Sequence, residues 1–267
     1  MEKQPYPTDI KDNEWEILVK LLPSTKRTGR PRKYSYRDII NAIYYVLNNG
    51  IKWRAMPHDL PHWKTVYHYF RSWQQQGYWQ RWHTLLREQL RLRYGRQAQA
   101  SAGVLDSQSM KTAEGGKERG FDANKRCVGR KRHILVDSLG LLLMVVVTAA
   151  NVQDREGARI VLGRFFQVFF QSFRFKLIWA DGGYQGALID WVKEAFAWSV
   201  VIIKRHQDVK GFKVLPRRWV VERTFSWFIR NRRLCRDYER LPQSAEAFIY
   251  IAMIRLMTRR LAGLNDF

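Results

Sequence analysis

Three carboxylates carry the strongest chemical signal in this 267-residue sequence. Asp106 lies inside an apolar stretch, where burying a charge without a partner is costly. Asp181 follows the apolar run Leu177–Ala180 and precedes two glycines, which let backbone or substrate approach closely. Glu222 lies on a stretch with helical periodicity. Carboxylate oxygens suit Mg²⁺, so three that converge predict a site for one or two Mg²⁺ ions.

Such a site has a specific chemistry. Two bound metal ions could activate a water or a 3′-hydroxyl and stabilise the leaving oxygen during in-line attack on a phosphodiester. Each carboxylate taken alone is ambiguous, because Asp181 could merely shape a turn and Glu222 could merely pair with Arg218 or Ser226. The combination of the three is what predicts metal-dependent phosphodiester chemistry.

The elements that would position these residues form an α/β domain. Five short runs have strand character, and helical patterns follow the third, fourth and fifth of them. This order predicts a mixed five-stranded sheet with helices on its faces. The predicted strands are Val104–Ser107, His133–Asp137, Leu141–Thr148, Lys176–Ala180 and Ser199–Ile203.

Residues 1–95 are predicted to form a separate, all-α domain of the helix-turn-helix type, with Ser35 capping its second helix. A small, polar stretch, 96–103, is predicted as a linker, and 104–267 as the catalytic domain. The third helix would expose Lys64, His68 and Arg71 on one face. These residues are predicted to contact DNA; the alternative is a helical bundle whose basic face is simply solvated.

The charge balance points to a polyanionic partner. Lys and Arg total 47 against 24 Asp and Glu, which gives a formal net charge of +23. The positive charge is spread along the chain, which suits a long nucleic-acid footprint better than anionic membranes, while ribosomal RNA is a competing polyanion. Arg130, Lys131 and Arg132 are predicted as further DNA contacts. Two isolated cysteines and a polar N-terminus predict a soluble, intracellular protein.

A polar stripe surrounds Glu222 on its helix. Arg218, Glu222, Ser226 and Arg230 recur every four residues. If Glu222 faces the metals, the two arginines flank the site and are predicted to contact DNA phosphates near the cleaved bond. The alternative is that Arg218 only pairs with Glu222.

Four motifs resemble those of DDE transposases encoded by bacterial insertion sequences, in particular the insertion sequence five family. The likeness covers nearly the whole chain. The motifs are Val104–Ser109, Gly129–Asp137, Ala180–Gly186 and Arg217–Phe225 together with Arg232–Leu234.

This resemblance implies an RNase H-like catalytic fold with Asp106, Asp181 and Glu222 as catalytic metal ligands. It implies Mg²⁺ dependence, with Mn²⁺ as a substitute. It also implies a double-stranded DNA partner: the terminal inverted repeats of its own insertion sequence and the target DNA to which the 3′-hydroxyl ends are joined. A homodimer or higher oligomer on DNA, in the bacterial cytoplasm at the nucleoid and without a membrane, is the matching expectation.

The chain departs from the family pattern at one place. Family transposases often carry a Tyr–Arg–Glu–Lys signature, and Arg218 and Glu222 fit its spacing, but Leu215 and Ile229 stand where the Tyr and the Lys would be. This departure leaves the phosphate contacts open, though not the triad. Asp154, in a segment where relatives often have two acids, is predicted to cap the next helix rather than bind metal.

Two other classes of protein remain alternatives. Another RNase H-like nuclease or resolvase would explain the acids but not the motif text. A non-catalytic DNA-binding regulator would explain the charge and the helical N-terminus but not the three acids. Fold alone does not separate these classes, because related chemistries share it.

Overall fold

The computed structural model describes residues 4–24, 31–113, 116–169, 174–203 and 218–263. Four helices come first in the chain, and two of their ends show why they form where they do. Ser35 Oγ accepts a hydrogen bond from the Asp38 N–H at the start of α2 (3.0 Å), as predicted, and Gly50 ends that helix at a φ of 70°. The four are α1 (Asp12–Leu18), α2 (Tyr36–Asn49), α3 (Trp63–Gln75) and α4 (Tyr78–Arg93).

A six-stranded sheet and four further helices follow. The sheet order is β2-β3-β1-β5-β6, and β4 pairs with β3 as well. The strands are β1 (Ala102–Lys111), β2 (Gly120–Asp122), β3 (Cys127–Asp137), β4 (Leu142–Ala149), β5 (Leu177–Ala180) and β6 (Ser199–Ile202). The helices are α5 (Asp154–Phe169), α6 (Ala187–Phe196), α7 (Trp219–Ile229) and α8 (Pro242–Leu261).

The mixed α/β sheet predicted from the sequence is confirmed, with three differences. The three-residue strand β2 was not predicted, β1 runs four residues beyond the predicted end at Ser107, and β3 begins at Cys127, six residues before the predicted start at His133. The three differences belong together, because the added part of β3 pairs with the added part of β1 and with β2.

Helices cover both faces of the sheet because successive side chains of a strand point to opposite sides. Leu105 and Leu135 face one way and pack with α5 and α6 in one hydrophobic cluster. Val104 and Ile134 face the other way and pack with α7 and α8. Asp106 pairs with Ile134 across the sheet and therefore lies on the same face, the one that α7 covers.

The N-terminal helices share the second of these clusters. Aromatic side chains of α3 and of the segment before it pack on α8: Phe70 stacks on Phe248 with ring centroids 4.8 Å apart, and Trp53 lies 5.9 Å from the same ring. One continuous core thus joins the predicted DNA-binding domain to the predicted catalytic domain. The boundary proposed at 96–103 stays a prediction, and the core crosses it.

None of the described helices is both long enough and apolar enough to pass through a bilayer.

Candidate active site

The three predicted carboxylates come from three elements that meet at one place. Asp106 lies in the middle of β1, and Asp181 directly follows β5, which pairs in parallel with β1. Glu222 lies in the first turn of α7, the helix that packs against β1. Asp106 lies within electrostatic range of both other carboxylates. The site is therefore assembled from residues up to 116 positions apart in sequence.

Arg218 lies between two of these carboxylates. Its Nη2 is 3.3 Å from Asp181 Oδ2, and its Nε is 3.9 Å from Glu222 Oε1. The residue caps the start of α7, and about a quarter of its side chain is exposed. The pairing with Asp181 goes beyond the simple Arg218–Glu222 pair that the sequence left open as an alternative.

The carboxyl of Asp106 has a raised pKa. Its pKa is raised to about 6, chiefly by burial; Asp181 and Glu222 act in the same direction as burial, and the Ser107 N–H and Arg218 oppose it. The Ser107 N–H donates to Asp106 Oδ1 over 2.7 Å. A carboxylate that resists ionisation in this way is stabilised by a cation placed beside it.

The donor set fits a hard divalent cation, because all three candidate ligands are carboxylates. Across the described ranges, no group of three or more His, Cys, Asp or Glu side chains is close enough together to hold an ion. The guanidinium of Arg218 occupies the space between Asp181 and Glu222. A shared metal ion therefore requires that Arg218 give up at least one of these two contacts.

A polar network that the sequence did not predict lies on the opposite face of β1. Ser107 Oγ donates to Asp154 Oδ1 (2.8 Å), and Lys131 Nζ lies 3.0 Å from the same oxygen. Lys131 also lies 3.5 Å from Asp122, which accepts from Ser109. Asp154 is the first residue of α5, and its carboxylate ties this helix to β1 and β3. The sequence predicted only that Asp154 caps the start of α5; its contacts with Ser107 and Lys131 were not predicted.

The basic run in β3 is mostly interior. Arg130 is fully buried, pairs with Asp237 (3.1 Å) and donates to the carbonyl of Glu239 (2.8 Å). Arg132 is 1% exposed and donates to the carbonyl of Leu234 (2.9 Å). Lys131 is 6% exposed. The prediction that Arg130, Lys131 and Arg132 contact DNA does not fit this burial, because buried side chains that are already paired within the protein cannot reach a phosphate. These residues instead link β3 to other segments of the chain.

The other predicted DNA contacts lie at or near the surface. Lys64 and His68 are exposed on α3, whereas Arg71 is half-buried and donates to Gln74 (2.8 Å) and to Ser244 of α8 (3.4 Å). Arg230 is exposed at the end of α7. Leu215, at the position of the signature tyrosine, lies outside the described residues.

The fold and the site together define a class. A mixed sheet with helices on both faces and acidic residues on its central strands is the architecture of an α/β enzyme of the RNase H-like type.

Comparison with protein families gives the particular family. The model of the transposase DDE domain matches residues 97–257, more than half of the chain, and a model of IS4/5 family transposases matches residues 10–83. The chain therefore belongs to the DDE transposases of IS4/5 type, as the motifs indicated, and is a metal-dependent transposase.

One curated relative supports this family. The chain is 32% identical over 117 residues to the "Insertion element IS402 uncharacterized 16.2 kDa protein" of Burkholderia cepacia, a match over 42% of this chain and 78% of the relative. No solved structure matches.

Proposed function

We propose that this transposase binds the terminal inverted repeats of its own insertion sequence, cuts the DNA there in a Mg²⁺-dependent reaction, and joins the 3′-hydroxyl ends to target DNA. Asp106, Asp181 and Glu222 hold the metal. The observation that carries the proposal is the meeting of these carboxylates, one from a strand, one from the turn after a strand and one from a helix, around one arginine.

Bound Mg²⁺, or Mn²⁺ in its place, would supply activation of the attacking oxygen and stabilisation of the leaving oxygen. The chain's own residues do the rest. Asp106 has its oxygen oriented by the Ser107 N–H, and Asp181 by the Gly183 N–H (2.8 Å). Arg218, released from Asp181, is placed to bind the phosphate at the cleaved bond, which aligns it for in-line attack.

DNA binding rests on charge. A net charge of +23 favours a long phosphate footprint. We assign recognition of the terminal repeats to the exposed face of α3 at Lys64 and His68, with Arg71 at its edge, and phosphate contact near the cut to Arg218 and Arg230. The working form is a homodimer or higher oligomer assembled on DNA at the bacterial nucleoid.

The experiment is cleavage of DNA that carries the element's own ends, with Mg²⁺. Asp106→Asn, Asp181→Asn and Glu222→Gln should each abolish cutting, because each keeps the shape and removes an anionic ligand. DNA binding should survive. Matched controls are Asp190→Asn and Glu194→Gln, two exposed acids of α6 that should leave cutting unchanged.

The outcome separates the competing classes. A triad variant that still cuts at close to the wild-type rate removes that residue from the metal site. Cutting without joining to target DNA favours an RNase H-like nuclease or resolvase. Tight, specific binding with no cutting by the wild-type protein favours a non-catalytic regulator.

A further inference from the structure

A groove of about 780 Å³ runs along the free edge of β1 from Asp106 to Lys111. β5 pairs with β1 only from Ala102 to Val104, and the chain returns to this edge at Asp237, beside Lys111 and Thr112. Between these points no strand of the described chain pairs with this edge. We call this feature the strand groove; its six strand residues, Asp106 to Lys111, span about 17 Å.

The backbone of this edge is available to a ligand. The Asp237 N–H donates to the carbonyl of Lys111 on this side of the strand (3.0 Å). Backbone groups two residues apart point to the same side, so the N–H and carbonyl of Ser109 face the groove. The Ser107 N–H also faces it and is bonded to Asp106. The edge thus offers a donor and acceptors that suit the edge of an unpaired base.

Three exposed cations line this groove. Lys111 lies at the end of β1, Lys125 in the turn between β2 and β3, and Arg236 in the segment after α7. In the part of the chain that is described, no carboxylate lies within ion-pair distance of any of the three. They differ in this respect from the buried Arg130 and Lys131, whose charges are neutralised inside the protein.

We propose that the strand groove binds a short single-stranded stretch of DNA next to the phosphate on which the carboxylates act. Lys111, Lys125 and Arg236 hold its phosphates, and the edge of β1 at Ser109 meets its bases. Basic side chains that follow the DNA backbone are how proteins bind single strands. Two acids that also line the groove, Asp122 and Asp154, are paired with Lys131 and leave the three exposed cations available. Only an unpaired base can present its Watson–Crick edge to the edge of β1, because those edges are already paired in a duplex. The inference rests on the proposed function and adds the form of DNA that enters the site.

The test measures the affinity of the full chain, in metal-free buffer, for a blunt duplex and for extended duplexes. One is a blunt duplex of the element's end, and the other is the same duplex with a four-nucleotide single-stranded extension, tried on the 3′ and the 5′ strand. The wild-type protein should bind one extended form about ten-fold more tightly, and the extension should steepen the salt dependence by about two units of slope for three phosphates.

The variant that tests the groove carries Lys111→Ala, Lys125→Ala and Arg236→Ala, and it should bind both DNAs alike. Its matched control removes two lysines and one arginine elsewhere: Arg174→Ala, Lys176→Ala and Lys193→Ala. Arg174 and Lys176 are exposed just before β5, at the opposite end of that strand from Asp181. The control should keep the preference for the extension.

Folding is checked by unfolding curves, and the single change Lys125→Ala, in an exposed turn, should on its own reduce the preference about three-fold. Retention of the full preference by the triple variant, or no preference in the wild type, overturns the strand groove. Cutting assays keep the two proposals apart. If the wild-type protein prefers the extended duplex but does not cut DNA, the proposed function alone is contradicted. If it cuts DNA but binds the blunt and extended duplexes alike, the strand groove alone is contradicted.

Discussion

Asp106→Asn removes a negative charge from a place where burial makes that charge costly. Burial raises the pKa of Asp106 to about 6, against an ordinary value of 3.8. At 1.36 kcal/mol for each pKa unit, the folded chain resists ionisation of this carboxyl by up to about 3 kcal/mol. The amide keeps the shape and can still accept from the Ser107 N–H. We therefore expect the metal-free variant to be more stable than the wild type at pH 8 by up to about 3 kcal/mol.

The pH dependence gives this prediction its sign. The pKa of Asp106 is higher in the folded chain than in the unfolded chain, so ionisation destabilises the wild type. The penalty is absent below about pH 4, grows between about pH 4 and 6, and is constant above that range. Urea unfolding of both proteins at half-unit steps from pH 4 to 8 measures it. The difference in unfolding free energy should rise across that window.

Addition of a divalent metal should reverse the order. A cation at 1,000 times its Kd stabilises the protein that binds it by about 4.1 kcal/mol, which exceeds the penalty of about 3 kcal/mol, and only the wild type keeps all three proposed ligands. Adding Mg²⁺ or Mn²⁺ at pH 8 should thus raise the stability of the wild type and leave Asp106→Asn nearly unchanged. Equal stability of the two metal-free proteins at pH 8, or the same difference at pH 4 and pH 8, would refute the reasoning.

Three further changes test other parts of the molecule. Arg218→Ala should slow single-turnover cleavage ten-fold or more, and it should lower the Mg²⁺ concentration needed for half-maximal rate because Arg218 competes with the metal for two carboxylates. Arg230→Ala should slow cleavage only. Unchanged cleavage rates in both variants would leave the polar stripe as a solvated helix face. Arg130→Met should cost about 3–5 kcal/mol in urea unfolding because it leaves Asp237 buried and unpaired, and a loss below 1 kcal/mol would contradict the structural role. A fragment of residues 1–100 should lack the cooperative unfolding of the full chain, since it lacks α8; a sharp melt for the fragment would show that the shared core is dispensable.

The sheet, and the elements that carry the three acids, were predictable from local pattern. Apolar runs with β-branched residues marked the five main strands, and Asp106 and Asp181 stood out because a carboxylate inside or directly after such a run has little reason to be there without a function. The pairing of strands then brought them together, which the order of elements already suggested.

The fate of the basic run in β3 was not predictable from the run itself. Arg130 and Arg132 are buried because the segment around Leu234 to Arg240 folds over them and supplies carbonyls and a carboxylate. Those partners are more than 100 residues further along the chain, so no local pattern signals them. The alternation of side chains along a strand did predict one feature: Lys131 must point to the opposite face of the sheet from Arg130 and Arg132, and there it contacts Asp154.

The packing of α8 against the first helices has a consequence for synthesis and for the decay of gene copies. The ribosome makes the helices that are proposed to bind DNA first, yet their aromatic core is completed only when Phe248 and its neighbours emerge near the end of translation. From Arg93 to Phe248 is 155 residues, so at 5–20 residues per second that interval lasts about 8–31 s. A copy of the gene with a premature stop before α8 should therefore encode no stable DNA-binding remnant, and so no competitor for the ends that an intact copy uses.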